Sequence, residues 1–109
     1  MATNPPAMAV AMARLWVKFL PEIEQRVALL EDVPKALDAG SLSKEQHAAA
    51  HAAAHKLAGT LGTFGLNRGT DLARQIELEL ESTPQPESSN ELAAWIVELR
   101  AVIDTRRQN

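Results

Sequence analysis

His47-Ala-Ala-Ala-His51-Ala-Ala-Ala-His55-Lys56-Leu57-Ala58-Gly59-Thr60-Leu61-Gly62-Thr63-Phe64-Gly65-Leu66 is the stretch around which the chain is organised. All three histidines of the protein stand in its first nine positions, four apart, and glycines follow at 59, 62 and 65. Ser43 and Gln46 form the S-x-x-Q capping box that opens a helix, so the stretch is expected to be helical from about Lys44. Leu57, Leu61 and Phe64, with Ala50 and Ala54, follow 4-3-4-3 spacing and predict one buried stripe. At about 100° per residue, His55 lies off that stripe, on a face shared with His51, Ala52, Ala58, Gly59 and Gly62. Most of its neighbours are small, as suits close approach by a partner.

Outward from this helix, the rest reads as helices too. At 109 residues the chain is one domain with a single modest core. It is rich in alanine and has only two Phe, two Trp and no Tyr, which argues for an all-helical fold. Asn4-Pro5-Pro6 predicts an N-cap with proline in the first turn of a helix, after a loose start at residues 1–3. Pro21 should kink or break that helix. From Pro21, the spacing of Ile23, Val27, Leu30, Val33 and Leu37 gives a second amphipathic helix, stopped at Ala39-Gly40, with Pro34 either kinking it or beginning a separate last turn. After Phe64, Gly65-Leu66-Asn67 makes a turn in which Asn67 can cap the next helix. That helix buries Leu72, Ala73, Ile76 and Leu80, and turns Thr70, Arg74, Glu77 and Glu81 outward. Ser82-Thr83-Pro84-Gln85-Pro86 is a loop. Ser88-Ser89-Asn90-Glu91 reads as a second capping box, opening a final helix with Leu92, Trp95, Ile96, Leu99, Val102 and Ile103 inward and a fraying tail from Thr105. The expected architecture is an antiparallel up-and-down four-helix bundle with an additional N-terminal helix, a single domain over residues 1–109.

Charge and composition narrow the function. The net charge is −3, and no segment is a basic stripe, so nucleic acid is not expected as a partner. With no cysteine there is no disulfide framework and no thiol chemistry. The apolar run from Ala7 is interrupted by Arg14 and Lys18 and lacks a basic leader, so neither a membrane span nor a secretory signal is expected. A soluble, cytoplasmic, monomeric protein is the expectation, and both ends read as natural stopping points.

Chemistry converges on His55. Neutral imidazole is a nucleophile near neutral pH, and whatever holds one ring nitrogen sets the other. If the turn centres on Leu66, residues whose numbers sum to about 132 share a level, which places His55 opposite Glu77 and Ala58 opposite Arg74. Glu77 can then accept the proton-bearing nitrogen and leave the other facing solvent. Lys56 adjoins the histidine and can lend positive charge to an anion placed on it. Gly59 and Gly62 each cost the helix roughly 1 kcal/mol against alanine, a cost that points to close packing or to a partner's approach. His51 and Arg74 complete the proposed docking face. The His-x-x-x-His spacing also suits zinc, but no carboxylate lies within the run to complete a site, and His47 drifts about 80° from His55. No metal is therefore expected. No Ser or Cys nucleophile stands in register with a base, and no phosphate-binding glycine loop joins a strand to a helix, which argues against a self-contained hydrolase.

His55-Lys56-Leu57-Ala58-Gly59 and the Thr60–Leu66 continuation resemble the signature of histidine phosphotransfer (HPt) domains, His-x-Leu-Lys-Gly followed by small residues and Gly. Gly62-Thr63-Phe64-Gly65 is also similar to the phosphotransfer domain of chemotaxis kinases, where a glutamate matching Glu77 hydrogen-bonds the active histidine. The whole form is similar to HPt modules attached to multi-domain response regulators. The departure is Ala58, where many relatives carry a phosphate-stabilising lysine, whereas here the lysine is Lys56, about 100° away. The resemblance implies a phosphorelay. In it His55 accepts a phosphoryl group from a receiver aspartate and passes it to another receiver, with no cofactor on this domain and Mg²⁺ on the receiver. The alternative is a non-phosphorylated helical module that docks a receiver.

Overall fold

The computed structural model describes residues 5–108, so the expectations for residues 1–3 and for Asn4 as a cap lie outside the described residues. Four α-helices and one 3₁₀ turn account for nearly all of it, with no strand among the described residues. Helix α1 spans Pro5–Ala39, α2 Lys44–Thr63, α3 Asn67–Glu79 and α4 Ser89–Gln108, the last preceded by the 3₁₀ turn Pro86–Ser88. Each helix packs on two neighbours in a closed ring, α1–α2–α3–α4 and back to α1. Cross-helix contacts show that neighbours run antiparallel. Trp16 meets Phe64, His55 meets Glu77 while Thr70 meets Ala58, Arg68 meets Glu98 while Glu79 meets Ser88, and Glu24 and Glu31 meet Arg107 and Arg100.

The expected division at Pro21 is not found. Helix α1 continues through both Pro21 and Pro34, and the anticipated extra N-terminal helix is its first part. A proline inside a helix loses a backbone bond and crowds the preceding turn, at about 3 kcal/mol. Burial on both sides outweighs that cost here, since Trp16 before Pro21 and Ile23, Val27 and Leu30 after it all enter the same core. Pro34 is itself buried, and its carbonyl accepts the Ser89 hydroxyl from α4. At 35 residues α1 is about 52 Å long against about 30 Å for α2, so its N-terminal end overhangs the bundle.

The core is continuous along the bundle axis, with Ile23, Val27 and Leu30 of α1, Leu57 and Leu61 of α2, Leu72 and Ile76 of α3, and Leu92, Leu99 and Ile103 of α4. Both helix stops expected at glycines are found. Gly40 (φ +65°) and Gly65 (φ +71°) take the left-handed conformation. The amides of Gly40 and Ser41 return to Leu37 and Ala36, and those of Gly65 and Leu66 return to Gly62 and Leu61, as in a Schellman closure.

Three end signals differ from expectation. Asn67 is the first residue of α3 and not its cap, because the closure delivers the chain at Leu66 already poised to start the helix, and the Leu66 carbonyl accepts the Thr70 amide. Ser88 lies in the 3₁₀ turn and donates its hydroxyl to Glu79 at 2.7 Å, tying the α3–α4 connection together. The C-terminal segment remains helical to Gln108, held by Arg107 to Glu24 and by Arg106 over the Trp16 ring.

Candidate functional site

Ser43 starts α2 as expected. Its hydroxyl accepts the Gln46 amide and the Gln46 side chain accepts the Ser43 amide, both at 3.0 Å. The stripe Ala50, Ala54, Leu57 and Leu61 is wholly buried, with Phe64 half-buried against the core. That burial fixes the rotation of α2 and turns His55 outward, leaving 73% of its side chain exposed. The tight turn at Phe64–Leu66 then brings α3 back in a register that sets Glu77 opposite His55.

His55 Nδ1 lies 2.8 Å from Glu77 Oε2. Glu77 is the more enclosed partner, at 19% exposure, so its carboxylate is held against the bundle while the imidazole stands out from it. With Nδ1–H donating to the carboxylate, the neutral ring carries its lone pair on Nε2. This arrangement presents a nucleophilic nitrogen backed by an anion on the far side of the ring.

The surroundings divide. Lys56 and Arg74 are exposed, and neither makes an ion pair among the described residues. Gly59 is exposed, and a Cβ built on it meets nothing within 4 Å, so tight packing does not explain this glycine. At Gly62 an added Cβ would make an ordinary contact with Thr70 Oγ1 at 3.4 Å. His51 is only partly exposed, and its Nε2 is closed off from solvent without a hydrogen-bond partner. Ala58, expected on the open face, is instead buried in the α2–α3 seam. There its carbonyl accepts the Thr70 hydroxyl at 3.2 Å. The two helices approach closely enough that the position three after His55 belongs to the seam. His47, at the edge, bonds the Leu80 carbonyl through Nε2 at 2.7 Å and so caps the end of α3.

A protein-family model described as "Hpt domain" matches residues 14–109. The chain belongs to the Hpt family. As an Hpt domain it is a phosphotransfer module of two-component signalling, a class that interacts with receiver domains. It is 32% identical over 91 residues to the protein RcaC of Microchaete diplosiphon, a stretch that covers 82% of this chain and 14% of that protein. The chain thus spans a small part of the length of the curated relative it matches. No solved structure matches it significantly. No helix among the described residues is long and apolar enough to cross a membrane.

Within this Hpt domain, Thr70 joins the α2–α3 seam beside the site, through the Ala58 carbonyl, without having been singled out for it. The hairpin register that pairs 55 with 77 also pairs 62 with 70 and 51 with 81, so the signal was present in the numbering. Gly69 was missed as well. A Cβ there would lie 3.0 Å from Leu61 Cδ1 and 3.3 Å from Val102 Cγ1, so this glycine lets α2, α3 and α4 close up behind the site.

Proposed function

We propose that this domain accepts a phosphoryl group on His55 from the aspartyl phosphate of one receiver and passes it to the aspartate of another. The observation that carries the reading is an exposed imidazole whose Nδ1 is engaged by a more enclosed carboxylate at 2.8 Å. Nε2 attacks phosphorus in line, the N–P bond forms as the acyl-phosphate O–P bond breaks, and the receiver aspartate leaves as a carboxylate. No proton need leave Nδ1, and the Glu77 carboxylate offsets the positive charge that develops on the ring. In this reading Lys56 supplies charge toward the phosphoryl oxygens, and His51, Gly59, Gly62 and Arg74 lie on the receiver-docking face. The Mg²⁺ that activates the aspartyl phosphate is the receiver's, and the transfer needs no cofactor on this chain.

The test is transfer from a labelled phosphorylated receiver to wild type, to His55→Gln and to a variant in which both other histidines are replaced. Acid-labile, alkali-stable label is expected on wild type and on the double variant, and none on His55→Gln. Label persisting on His55→Gln would overturn the assignment. Receivers that bind the domain without labelling it would favour the non-phosphorylated docking module.

A further inference from the structure

The three histidines of α2 all face the C-terminal half of α3, and two of them have partners there: His47 the Leu80 carbonyl and His55 the Glu77 carboxylate. His51 lies between them, its Nε2 screened from water and unpartnered. Leaving such a nitrogen without a partner costs about 1–3 kcal/mol. Two carboxylates stand beside the His51 ring. One ligand atom each from His51, Glu77 and Glu81 all lie within 4.8 Å of one another, the one such group among the described residues. The expectation of no metal weighed only carboxylates within the histidine run, whereas these come from across the hairpin.

We propose that His51, Glu77 and Glu81 bind a divalent transition-metal ion of the zinc class, and that the bound ion draws Glu77 away from His55. One imidazole nitrogen and two carboxylate oxygens make a three-ligand set that leaves a fourth tetrahedral position for water. Ligand atoms about 2.0–2.2 Å from such an ion lie about 3.4 Å apart, so the group must close by roughly 1.4 Å at most. Glu81, exposed and beyond the last residue of α3, can supply part of that movement, and Glu77 supplies the rest as it leaves His55. The imidazole ligand selects against Mg²⁺ and Ca²⁺, which prefer oxygen. Two carboxylates match the charge of the ion. Glu77 is the shared group: charge it gives to a metal is no longer available to Nδ1 of His55, so phosphoryl acceptance slows. The binding site stands on its own geometry, and only this last consequence rests on the phosphotransfer reading.

Binding is tested by titrating Zn²⁺ into the full chain against a chromophoric chelator, with circular dichroism to show that each variant is folded. Wild type should bind one equivalent. His51→Gln and Glu81→Gln should each weaken binding at least about tenfold, and His55→Gln should bind at least as tightly as wild type. Absence of stoichiometric binding to wild type, undiminished binding by folded His51→Gln, or loss of binding in His55→Gln would each overturn the site. The coupling is read as the ratio of transfer rates with and without Zn²⁺. Wild type should slow while Glu81→Gln does not. Equal slowing of both would place the metal effect on the receiver and overturn the coupling. No transfer even in metal-free buffer would count against the phosphotransfer reading, and the titration would still decide the site.

Discussion

The seam between α1 and α4 and the seam between α2 and α3 use charge in opposite ways. Along α1–α4 Arg100 is bonded to both Glu24 and Glu31, and Arg107 also reaches Glu24. Hydrogen bonds from Glu31 and then Glu24 hold the Arg100 guanidinium well above its ordinary pKa. Along α2–α3 the one charged contact is His55 with Glu77, and Lys56 and Arg74 stand without ion-pair partners among the described residues. Glycines repeat the contrast on a smaller scale. Gly69 is filled against by Leu61 and Val102, while Gly59 faces open space. Charges that hold helices together are satisfied inside the molecule, whereas Lys56 and Arg74 have no ion-pair partner among the described residues.

The largest effect that would break this contrast is at Glu77. In metal-free buffer, Glu77→Gln should slow phosphoryl acceptance about tenfold, equivalent to about 1.4 kcal/mol in the barrier. The amide can still accept the Nδ1–H bond but brings no charge. The urea midpoint should stay at the wild-type value, because the bond is kept and its donor is an exposed ring. Unchanged transfer with lowered stability would make the α2–α3 seam structural after all. Next come the two glycines, with opposite signs. Gly69→Ala should destabilise by about 1–2 kcal/mol, because Leu61 has to give way. Gly59→Ala should stabilise by roughly 0.5–1 kcal/mol while weakening receiver association, measured by titration. If Gly59→Ala leaves association untouched, the open glycine is not part of a docking face.

Much of this contrast was legible in the sequence, and what was not had a common cause. The Ser43–Gln46 box, the buried stripe of α2 and the glycine closures are all decided by residues within one or two turns of each other. The hairpin register followed from the closure at Gly65, and with it the juxtaposition of His55 and Glu77. Ala58 escaped because helical angle alone places it beside His55, whereas the closeness of α3 decides that it is covered. Pro21 escaped for the same reason. Its local chemistry says stop, and only the shared burial of Trp16 and Ile23 shows why the helix goes on. The partners of Ser88 and of Arg100 come from other helices, 9 and up to 76 residues away, and no local pattern names them.

On the α1–α4 side, Arg100→Met should cost about 1 kcal/mol of stability, the modest scale of partly exposed pairs, and should leave transfer unchanged. The loss should shrink in high salt, since screening weakens what the arginine contributes in wild type. A slowed transfer in this variant would mean that the two seams are coupled through the core.

The smallest effect belongs to the outer pair that links α3 to α4, Arg68 with Glu98. Both groups are exposed, yet the hydrogen bond from Arg68 holds the Glu98 carboxyl below its ordinary value of 4.5. A carboxyl whose pKa is lower folded than unfolded leaves the unfolded chain binding more protons between the two values, so stability rises with pH through that interval. The contribution is fully present above the unfolded value and is lost as pH falls through the folded one. Urea midpoints of wild type and Glu98→Gln should therefore differ slightly at neutral pH and converge in acid below 4.5. Added salt should erase the difference at any pH. A gap that persisted in acid would show that Glu98 acts through packing of its stem, and the pair would then belong with the glycine contacts and not with the charges.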